Sequence, residues 1–410
     1  MHRLHGPLPD IFVIICLLCW LFYSVSVIIY LNYLTRKYLF SEEREGLIGD
    51  KKLKTHQQLI EQYKDVDEIN ILILTGGGIR GVIPLEILSY IEEKTGKKTG
   101  ELFDFMAGSS TGAISVATFA VGDGNGGYKF SAKYLLHHYY QHLRRIFSSP
   151  WYHQFLTMFG LFAPRFLPDN KIKVLEEYFG DSTISELQGN IIIPVYNIDK
   201  NRLQTTKNWN PPHGELNANY LVKDLINGAS NPPMLFPPVA FSINEVEHLF
   251  IDPAVILNNP ILHVMLHVRM LFPDKKLNMV LISNGGMGAV KYDYRSMFGF
   301  GLYGIYQYLL SAPSLSSRLY VDFLEDYLRD AKKFYDKIDY FKIASAPPRV
   351  FSPTDTSQTN IDEIGEFSKN MLNENLVVIH QVIDILTRKS VKKSLEKSVE
   401  KSVEKSGVLS

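Results

Sequence analysis

The same local pattern occurs twice between residues 69 and 121: a short apolar run, a glycine-rich turn and an apolar helical pattern. The first copy runs from "INILIL" through "TGGGIRG" into "VIPLEILSYIEEK", and the second from "LFDFMAG" through "SSTG" into "AISVATFAVG". Buried parallel strands are short and continuously apolar, and helices connect them. The pattern therefore predicts an α/β fold with a central, mostly parallel sheet between helices.

Later segments continue the alternation of strands and helices. Further strands are expected at residues 191–198, 248–251 and 279–283, with helical patterns between them. Helices are also expected over residues 303–340 and 374–386, where apolar residues recur at helical spacing. The sheet is therefore expected to extend well beyond the two glycine turns.

Composition excludes several classes of protein. The 410 residues are 46% hydrophobic and 21% charged, which is enough apolar material for a sizeable core. Lys plus Arg and Asp plus Glu number 43 each, so net charge does not favour nucleic acid as a partner. The two cysteines, Cys16 and Cys19, lie in one apolar run, so the rest of the chain has no disulfide framework or cysteine-based zinc site.

That apolar run, residues 11–34, carries no charge and exceeds the roughly 20 residues that a membrane-spanning helix needs. Tyrosines near its end, followed by Arg36 and Lys37, are typical of an interfacial anchor. We expect a membrane anchor over residues 1–40, with a cleaved signal peptide and a buried helix as alternatives. The distribution of basic residues leans towards a cytoplasmic main domain.

The second glycine turn contains a nucleophile candidate. The pattern G-x-S-x-G is satisfied only by Gly108, Ser110 and Gly112. In a nucleophile elbow the serine lies on a strained turn between strand and helix, and the flanking glycines allow close backbone approach. The predicted strand before Ser110 and the predicted helix after it supply that context.

The first glycine turn has two readings. Backbone N–H groups of such a turn can point together at one site beside a helix N-terminus and stabilise developing negative charge. The spacing Gly76-x-Gly78-x-x-Gly81 also fits a dinucleotide-binding fingerprint. That fingerprint requires an acidic residue at the end of the second strand, whereas the second predicted strand of this chain ends at Ser110.

Three motifs in order, "GGGIRG", "GSSTG" and "FIDPAVILNNP", resemble the patatin-like phospholipases, which are acyl hydrolases of membrane lipids. The segment "INGASNPPMLFPPV" resembles the family's stretch ahead of its aspartate. The resemblance covers about residues 69–260. It implies a three-layer patatin-like fold and a Ser-Asp dyad without histidine.

The resemblance also implies roles for particular residues. Ser110 corresponds to the nucleophile and Asp252 to the base, while Gly77, Gly78 and Arg80 fall in the oxyanion turn. Arg80 either adds positive charge there or holds the loop. Two positions depart from the family pattern: Thr75 stands where an aspartate is usual, and Pro253 where a glycine is usual. A proline lacks the backbone N–H and biases Asp252 towards an extended conformation.

Other assignments stay open beside the dyad. A histidine triad is an alternative, because His263, His267 and His380 follow Asp252 in α/β-hydrolase order. Asp252 is alternatively a capping aspartate in a loop. For residues 151–166 and 234–238 we expect core packing, with an acyl-chain groove or a membrane-facing lip as the alternative. The turn at residues 283–288 is expected to be structural.

These observations predict five segments. They are an anchor at residues 1–40, a polar linker at 41–68, a patatin-like phospholipase domain at 69–265, the remaining sheet with a helical extension at 266–386, and a Lys/Ser/Glu repeat tail at 387–410. The tail is expected to be a solvated helix, with contact to anionic lipid as the alternative.

The function implied is a membrane-anchored lipid acyl hydrolase that works through an acyl-Ser110 intermediate. Its expected partners are membrane phospholipid and the lipid bilayer, with no nucleic acid, no metal and no organic cofactor. The sequence leaves open whether a protein activator exists. Two alternatives belong to other classes: a catalytically silent membrane scaffold, and a nucleotide-binding protein that uses the turn Gly76–Gly81.

Overall fold

One mixed sheet of eight strands organises the part of the chain that the structure describes. The computed structural model describes residues 8–38, 52–160, 162–212, 218–243, 246–285, 327, 337–349 and 351–388. The strands are β1 (Glu68–Leu74), β2 (Phe105–Gly108), β3 (Asn190–Asn197), β4 (Arg202–Lys207), β5 (Val239–Ile243), β6 (Val246–Ile251), β7 (Lys276–Ile282) and β8 (Ile338–Ile343). Their order is β5-β6-β3-β2-β1-β7-β8, and β4 pairs with β3.

The centre of this sheet is parallel, as the alternating pattern predicts. Strands β3, β2, β1, β7 and β8 run parallel, while β4, β5 and β6 add antiparallel pairs at one side. Leu74 at the end of β1 is level with Gly108 of β2 and Ile282 of β7. The turns that follow these three strands therefore meet at one edge of the sheet.

Helices cover both faces. They are α1 (Leu8–Tyr38), α2 (His56–Gln62), α3 (Val82–Thr95), α4 (Thr99–Leu102), α5 (Thr111–Phe119), α6 (Ala132–Ile146), α7 (Trp151–Leu156), α8 (Asp169–Phe179), α9 (Val222–Ala229), α10 (Ile261–Leu271), α11 (Gln358–Glu374) and α12 (residues 376–388). Short 3-10 turns lie at Gly78–Gly81, Met158–Gly160, Ile184–Glu186 and Pro253–Val255.

The side chains of β1 show why the fold has three layers. Leu72 and Leu74 join a core with helices α3, α5, α6, α9 and α11, whereas Ile71 and Ile73 join a second core with α2 and α10. Successive side chains of a strand point to opposite faces, so a strand buried on both faces must be continuously apolar. The two cores confirm the α/β, three-layer fold class.

Three strands differ from the sequence expectation. The helical pattern predicted over residues 303–340 is wrong at its end, because β8 begins at Ile338 and pairs with β7. Strands β4 and β5 were not predicted, since their polar or short sequences lack a strong apolar run and they depend on tertiary pairing. The rest of residues 303–336, apart from helical Tyr327, and the repeat from 389 onward lie outside the described residues.

Helix α1 contains the apolar stretch Ile15–Leu34, with a mean hydropathy of 2.0. This stretch is long enough to cross a bilayer, and a signal sequence has the same length and composition. Its end contacts the rest of the protein, because Lys37 Nζ lies 2.9 Å from Asp169 Oδ1 in α8.

Candidate active site

Ser110 occupies the sharp turn between β2 and α5, with φ 55° and ψ −124°. A positive φ is unfavourable for a residue that carries a side chain, so the turn is strained. A Cβ at Gly108 would lie 2.3 Å from the carbonyl of Gly112, and one at Gly112 would lie 2.6 Å from the carbonyl oxygen of Leu74. Both glycines are therefore required by close backbone approach, which is the geometry of a nucleophile elbow.

Asp252 follows β6 and is fully buried. Its N–H donates to the Asn231 carbonyl at 3.0 Å, and its Oδ1 accepts from the Ala254 N–H at 2.8 Å. Burial raises the pKa of Asp252 to about 6, against the opposing effects of Ser110, Ala254 and Lys171. The carboxyl group is therefore ionised at neutral pH and is a stronger base than an exposed aspartate.

The structure brings Ser110 and Asp252 together in one cavity of about 220 Å³. The hydroxyl of Ser110 is close enough to the carboxylate to favour its ionised form. Asp252 Oδ2 makes no hydrogen bond in the part of the chain that the structure describes. Catalytic hydrogen bonds are often long or poorly aligned without substrate and tighten when it binds. The remaining lining is mostly apolar and includes Ile114, Leu143, Ile146, Phe147, Leu235 and Phe236.

The first glycine turn lines the same cavity, and three of its amides are already engaged, including that of Arg80, which donates to the Gly77 carbonyl at 3.2 Å. The Gly77 N–H donates to Thr111 Oγ1 at 3.2 Å, and the Ile79 N–H donates to the Pro353 carbonyl at 2.9 Å. Within the described chain, the N–H groups of Gly78 and Thr111 make no hydrogen bond. Of the expected oxyanion residues, Gly78 thus keeps its donor, and Thr111, which the sequence analysis did not single out, adds another.

Arg80 braces this turn. Its side chain is buried, and Nε donates to the Gly77 carbonyl at 3.2 Å. Burial lowers the pKa of Arg80 to about 10, so the guanidinium stays cationic at neutral pH. Of the two roles considered for Arg80, this contact matches holding the loop, and the charge lies at the cavity wall as well.

Both departures from the family pattern have local structural roles. Thr75 Oγ1 accepts the Asn284 N–H at 3.1 Å, and the Asn284 side chain donates to the Gly76 carbonyl, so the ends of β1 and β7 are tied together. Pro253 begins a 3-10 turn that Asp252 caps, and Asp252 has a relaxed φ of −56°. The N–H that binds the carboxylate comes from Ala254 and not from position 253.

Lys171 in α8 is a buried cation that the sequence analysis missed, because a single lysine in an amphipathic helix gives no signal. Nζ donates to the carbonyl oxygens of Ser230 at 2.6 Å and Asn227 at 3.2 Å, and to Asn231 Oδ1. Burial lowers the pKa of Lys171 to about 7, and the negative charge of Asp252 opposes that shift. Lys171 thus holds the segment whose Asn231 carbonyl anchors Asp252.

The histidines of the alternative triad lie elsewhere. His263 and His267 are on α10, which packs on the opposite face of the sheet, and His380 bonds the Tyr90 hydroxyl at 3.1 Å. Among the described residues that line the cavity there is no histidine. Nor do the described parts of the chain group three His, Cys, Asp or Glu side chains that could hold a metal.

The expectation of core packing for residues 151–166 is wrong for much of the segment. His153 and Phe166 are buried, but Trp151 is 80% exposed and Phe159 is 69% exposed. Phe159 lies in a turn where it and Met158 both have positive φ. The buried and exposed aromatic residues of this segment do not follow a helical or strand periodicity. The expectation of core packing therefore depended on the aromatic composition alone.

Comparison with known proteins places these features in a family. The model of the patatin-like phospholipase family matches residues 72–265. Patatin-like protein 3 of Arabidopsis thaliana is 28% identical over 218 residues, 47% of this chain and 50% of the relative. Patatin-like protein 2 of Oryza sativa subsp. indica is 24% identical over 352 residues, 76% of this chain and 85% of the relative. The chain thus spans about half the length of the first of these relatives.

Solved structures give more distant matches. Human GIVD cytosolic phospholipase A2, in complex with methyl gamma-linolenyl fluorophosphonate, has a TM-score of 0.39 and 13% identity over 81% of this chain and 63% of that chain. VipD from Legionella pneumophila has a TM-score of 0.33 and 14% identity over 78% of this chain and 67% of that chain. The family model and the sequence relatives identify residues 72–265 as a domain of the patatin-like phospholipase family.

Proposed function

We propose that this protein is a lipid acyl hydrolase of the phospholipase A type, which cleaves fatty acyl esters of membrane phospholipids through an acyl-serine intermediate. The observation that carries the proposal is the shared cavity, in which a strained, buried serine and a buried carboxylate with a raised pKa lie together. Strained backbone and perturbed pKa values are concentrated at functional sites.

In the first half-reaction, Ser110 Oγ attacks the ester carbonyl and its proton passes to Asp252. The N–H groups of Gly78 and Thr111 stabilise the oxyanion, an effect worth about 3 to 4 kcal/mol per donor in other enzymes. The carbon–oxygen bond of the ester then breaks, and the lysolipid alcohol leaves with the proton held by Asp252. The product on the enzyme is an acyl ester of Ser110.

In the second half-reaction, water attacks the acyl-serine carbonyl while Asp252 accepts a proton from it. The same donors stabilise the second oxyanion. Collapse releases the fatty acid and returns the proton to Ser110 Oγ. Every proton in the cycle passes between Ser110, Asp252, water and the leaving group, so a histidine is not needed as a relay.

The cavity wall supports a fatty acyl substrate. Ile114, Leu143, Ile146, Phe147 and Phe236 line it, and a hydrocarbon chain that leaves water gains free energy from contact with such side chains. Helix α1 is long and apolar enough to be the membrane anchor that brings the domain to its substrate. The basic residues after α1 favour a cytoplasmic position for the domain.

The test is labelling of the full chain with a fluorophosphonate, together with measurement of fatty acid release from phospholipid vesicles. We expect wild type to react, and Ser110→Ala to lose both the label and the turnover. Ser109→Ala is the matched control, because Ser109 is a buried neighbouring hydroxyl that donates to the Leu257 carbonyl at 3.1 Å. Label or turnover that persists in folded Ser110→Ala would exclude this mechanism, and a silent scaffold predicts neither signal in wild type.

A further inference from the structure

The aromatic segment, here residues 151–160 with Phe162, displays an apolar surface outside the catalytic cavity. Its exposed side chains are Trp151, Tyr152, Phe155, Met158, Phe159 and Phe162. Monomeric soluble proteins rarely expose so many large apolar side chains next to one another, and such patches mark interaction sites. The positive φ values at Met158 and Phe159 show that the turn presents Phe159 outward at a cost in backbone strain.

This surface is continuous with α1. The Tyr23 hydroxyl donates to the Phe155 carbonyl at 3.1 Å and the two rings meet edge to face, while the Tyr30 hydroxyl bonds His153 Nδ1 at 2.8 Å. The two contacts are seven residues apart on α1, about 10 Å along its axis. The segment therefore lies alongside the apolar stretch Ile15–Leu34 rather than beyond its end.

The length of α1 decides where the segment goes. The part before the first contact, Leu8–Phe22, is about 22 Å long at 1.5 Å per residue. A bilayer has a hydrocarbon core about 30 Å thick. Since that part alone is too short to cross, any bilayer that takes up α1 must also take up the stretch of α1 that contacts the aromatic segment.

We propose that the aromatic segment is a lipid-contacting surface that enters the interfacial layer of the same bilayer as α1. Tryptophan, tyrosine and phenylalanine are the residues that favour this layer, because their rings combine apolar area with tolerance of the wet boundary. An apolar hollow of about 300 Å³ lies between α1 and the segment, lined among others by Leu31, Leu34 and Phe162. The occupant of this face is a phospholipid bilayer, since the face is continuous with a membrane-length helix.

The surface is built into the wall of the catalytic cavity. Immediately after it, the Arg165 N–H donates to the Met234 carbonyl at 2.8 Å and the Phe166 N–H donates to the Leu235 carbonyl at 2.9 Å. Met234 and Leu235 line that cavity. Buried Phe166, which also lines the hollow, packs against Phe236 of the cavity with ring centroids 5.6 Å apart. A bilayer that holds the segment therefore holds one wall of the cavity at the lipid surface.

Trp151 offers a direct measurement of this contact, independent of activity. The chain has three tryptophans: Trp20 lies in α1, and Trp209 is 2% exposed in the core. The full-length W20F variant, reconstituted in phosphatidylcholine vesicles, is compared with W20F/W151F. We expect phosphatidylcholine with brominated acyl chains to quench the emission that W151F removes, and to leave Trp209 unquenched. Unquenched Trp151 emission overturns the proposal. This holds even if iodide in solution also fails to quench Trp151, because a second copy of the chain would then cover the surface instead of lipid.

A kinetic experiment tests the same surface, and it rests on the proposed hydrolase function. Trp151→Ser/Phe159→Ser is expected to lower turnover of vesicle phospholipid about tenfold or more, while hydrolysis of a soluble short-chain ester stays unchanged. The matched control, Met270→Ser/Val377→Ser, alters two side chains of similar exposure outside the segment and should change neither rate. Equal turnover of vesicles by the two double variants overturns the proposal. If wild type hydrolyses neither substrate, the proposed function fails and the quenching result alone decides this one.

Discussion

The turns that carry Ser110 and Asp252 reach the same cavity by opposite means. Ser110 is held by steric constraint, because its positive φ persists only where Gly108 and Gly112 let the backbone of β1, β2 and α5 come together. Asp252 has an unstrained backbone, and hydrogen bonds to Asn231 and Ala254 hold it. The comparison teaches that one half of the candidate dyad depends on the absence of side chains, and the other half on polar partners in a buried setting.

The difference has an electrostatic side. The serine turn introduces no charge, whereas the aspartate turn buries a carboxylate. Asn231, which accepts the Asp252 N–H, also binds the buried ammonium group of Lys171. Burial opposes the charged form of each group, and each charge partly offsets the penalty of the other. The pH dependence of catalysis is therefore expected to come from the aspartate turn.

The largest effect is expected from Asp252→Asn, which keeps the shape of the side chain and removes the base. We expect kcat/KM for lipid hydrolysis to fall by about 1,000-fold or more, as loss of a positioned catalytic carboxylate does elsewhere. Circular dichroism should show a folded protein, because the substitution removes a buried charge. His263→Gln is the control and should keep wild-type activity. Near wild-type turnover by folded Asp252→Asn would contradict the role of Asp252.

The steric half of the comparison is tested by Gly108→Ala. The added methyl group would lie 2.3 Å from the Gly112 carbonyl, so the elbow has to open, and we expect a loss of about 3 kcal/mol or more in unfolding free energy. Thermal denaturation measures this loss. Gly122→Ala is the control, since its methyl group would meet Gln188 Cβ at 3.4 Å and the change should stay within about 0.5 kcal/mol. Equal melting temperatures of the two variants would refute the steric account.

Lys171→Met tests the electrostatic half. In wild type, kcat/KM should fall as pH drops through about 6, because protonated Asp252 cannot accept the Ser110 proton. Loss of the Lys171 charge should raise the pKa of Asp252, so the acid limb moves to higher pH and activity at neutral pH falls about tenfold.

The control for this variant is Lys173→Met, which removes an exposed lysine of the same helix. It should leave the pH profile in place. If Lys171→Met lowers activity equally at every pH, then Lys171 acts only by holding the loop.

The smallest effect is expected at Pro253. Ala254 supplies the hydrogen bond to Asp252, so Pro253→Gly should change kcat/KM by no more than about twofold. Stability should drop by about 0.5 to 1 kcal/mol, because glycine adds conformational freedom to the unfolded chain. Rate measurements alongside thermal denaturation separate the two effects. A large gain or loss of activity would show that the missing N–H matters.

The same contrast explains what the sequence could predict. The serine turn was predictable because its requirements are local: an apolar strand, two glycines at fixed spacing and a helix after them. The site around Asp252 was predictable only through the resemblance to a family. Lys171 and Asn231 acquire their places from tertiary packing, which no local spacing records. Thr111 directly follows Ser110, and the residue after the nucleophile of an elbow supplies an oxyanion donor, so the motif itself could have predicted this donor.

At the level of the fold, the two patterns of strand, glycine turn and helix that contain β1 and β2 were sufficient to predict a buried parallel sheet. Strand β8 was missed because its half-buried sequence, "IDYFKI", depends on pairing with β7. The exposed aromatic residues after Trp151 were assigned to the core, since aromatic composition does not reveal which side chains face outward.

The hydrogen bond from Ile79 to Pro353 joins the first glycine turn to a part of the chain far outside the family-matched region. Pro353 also sits against Gly78, where a Cβ would collide with its carbonyl. A fragment trimmed to residues 72–265 would lose this clasp together with Asn284, which ties down Thr75. The first glycine turn is thus completed by residues that are synthesised well after Ser110, so a growing chain contains the serine turn before it contains the contacts that fix its neighbour.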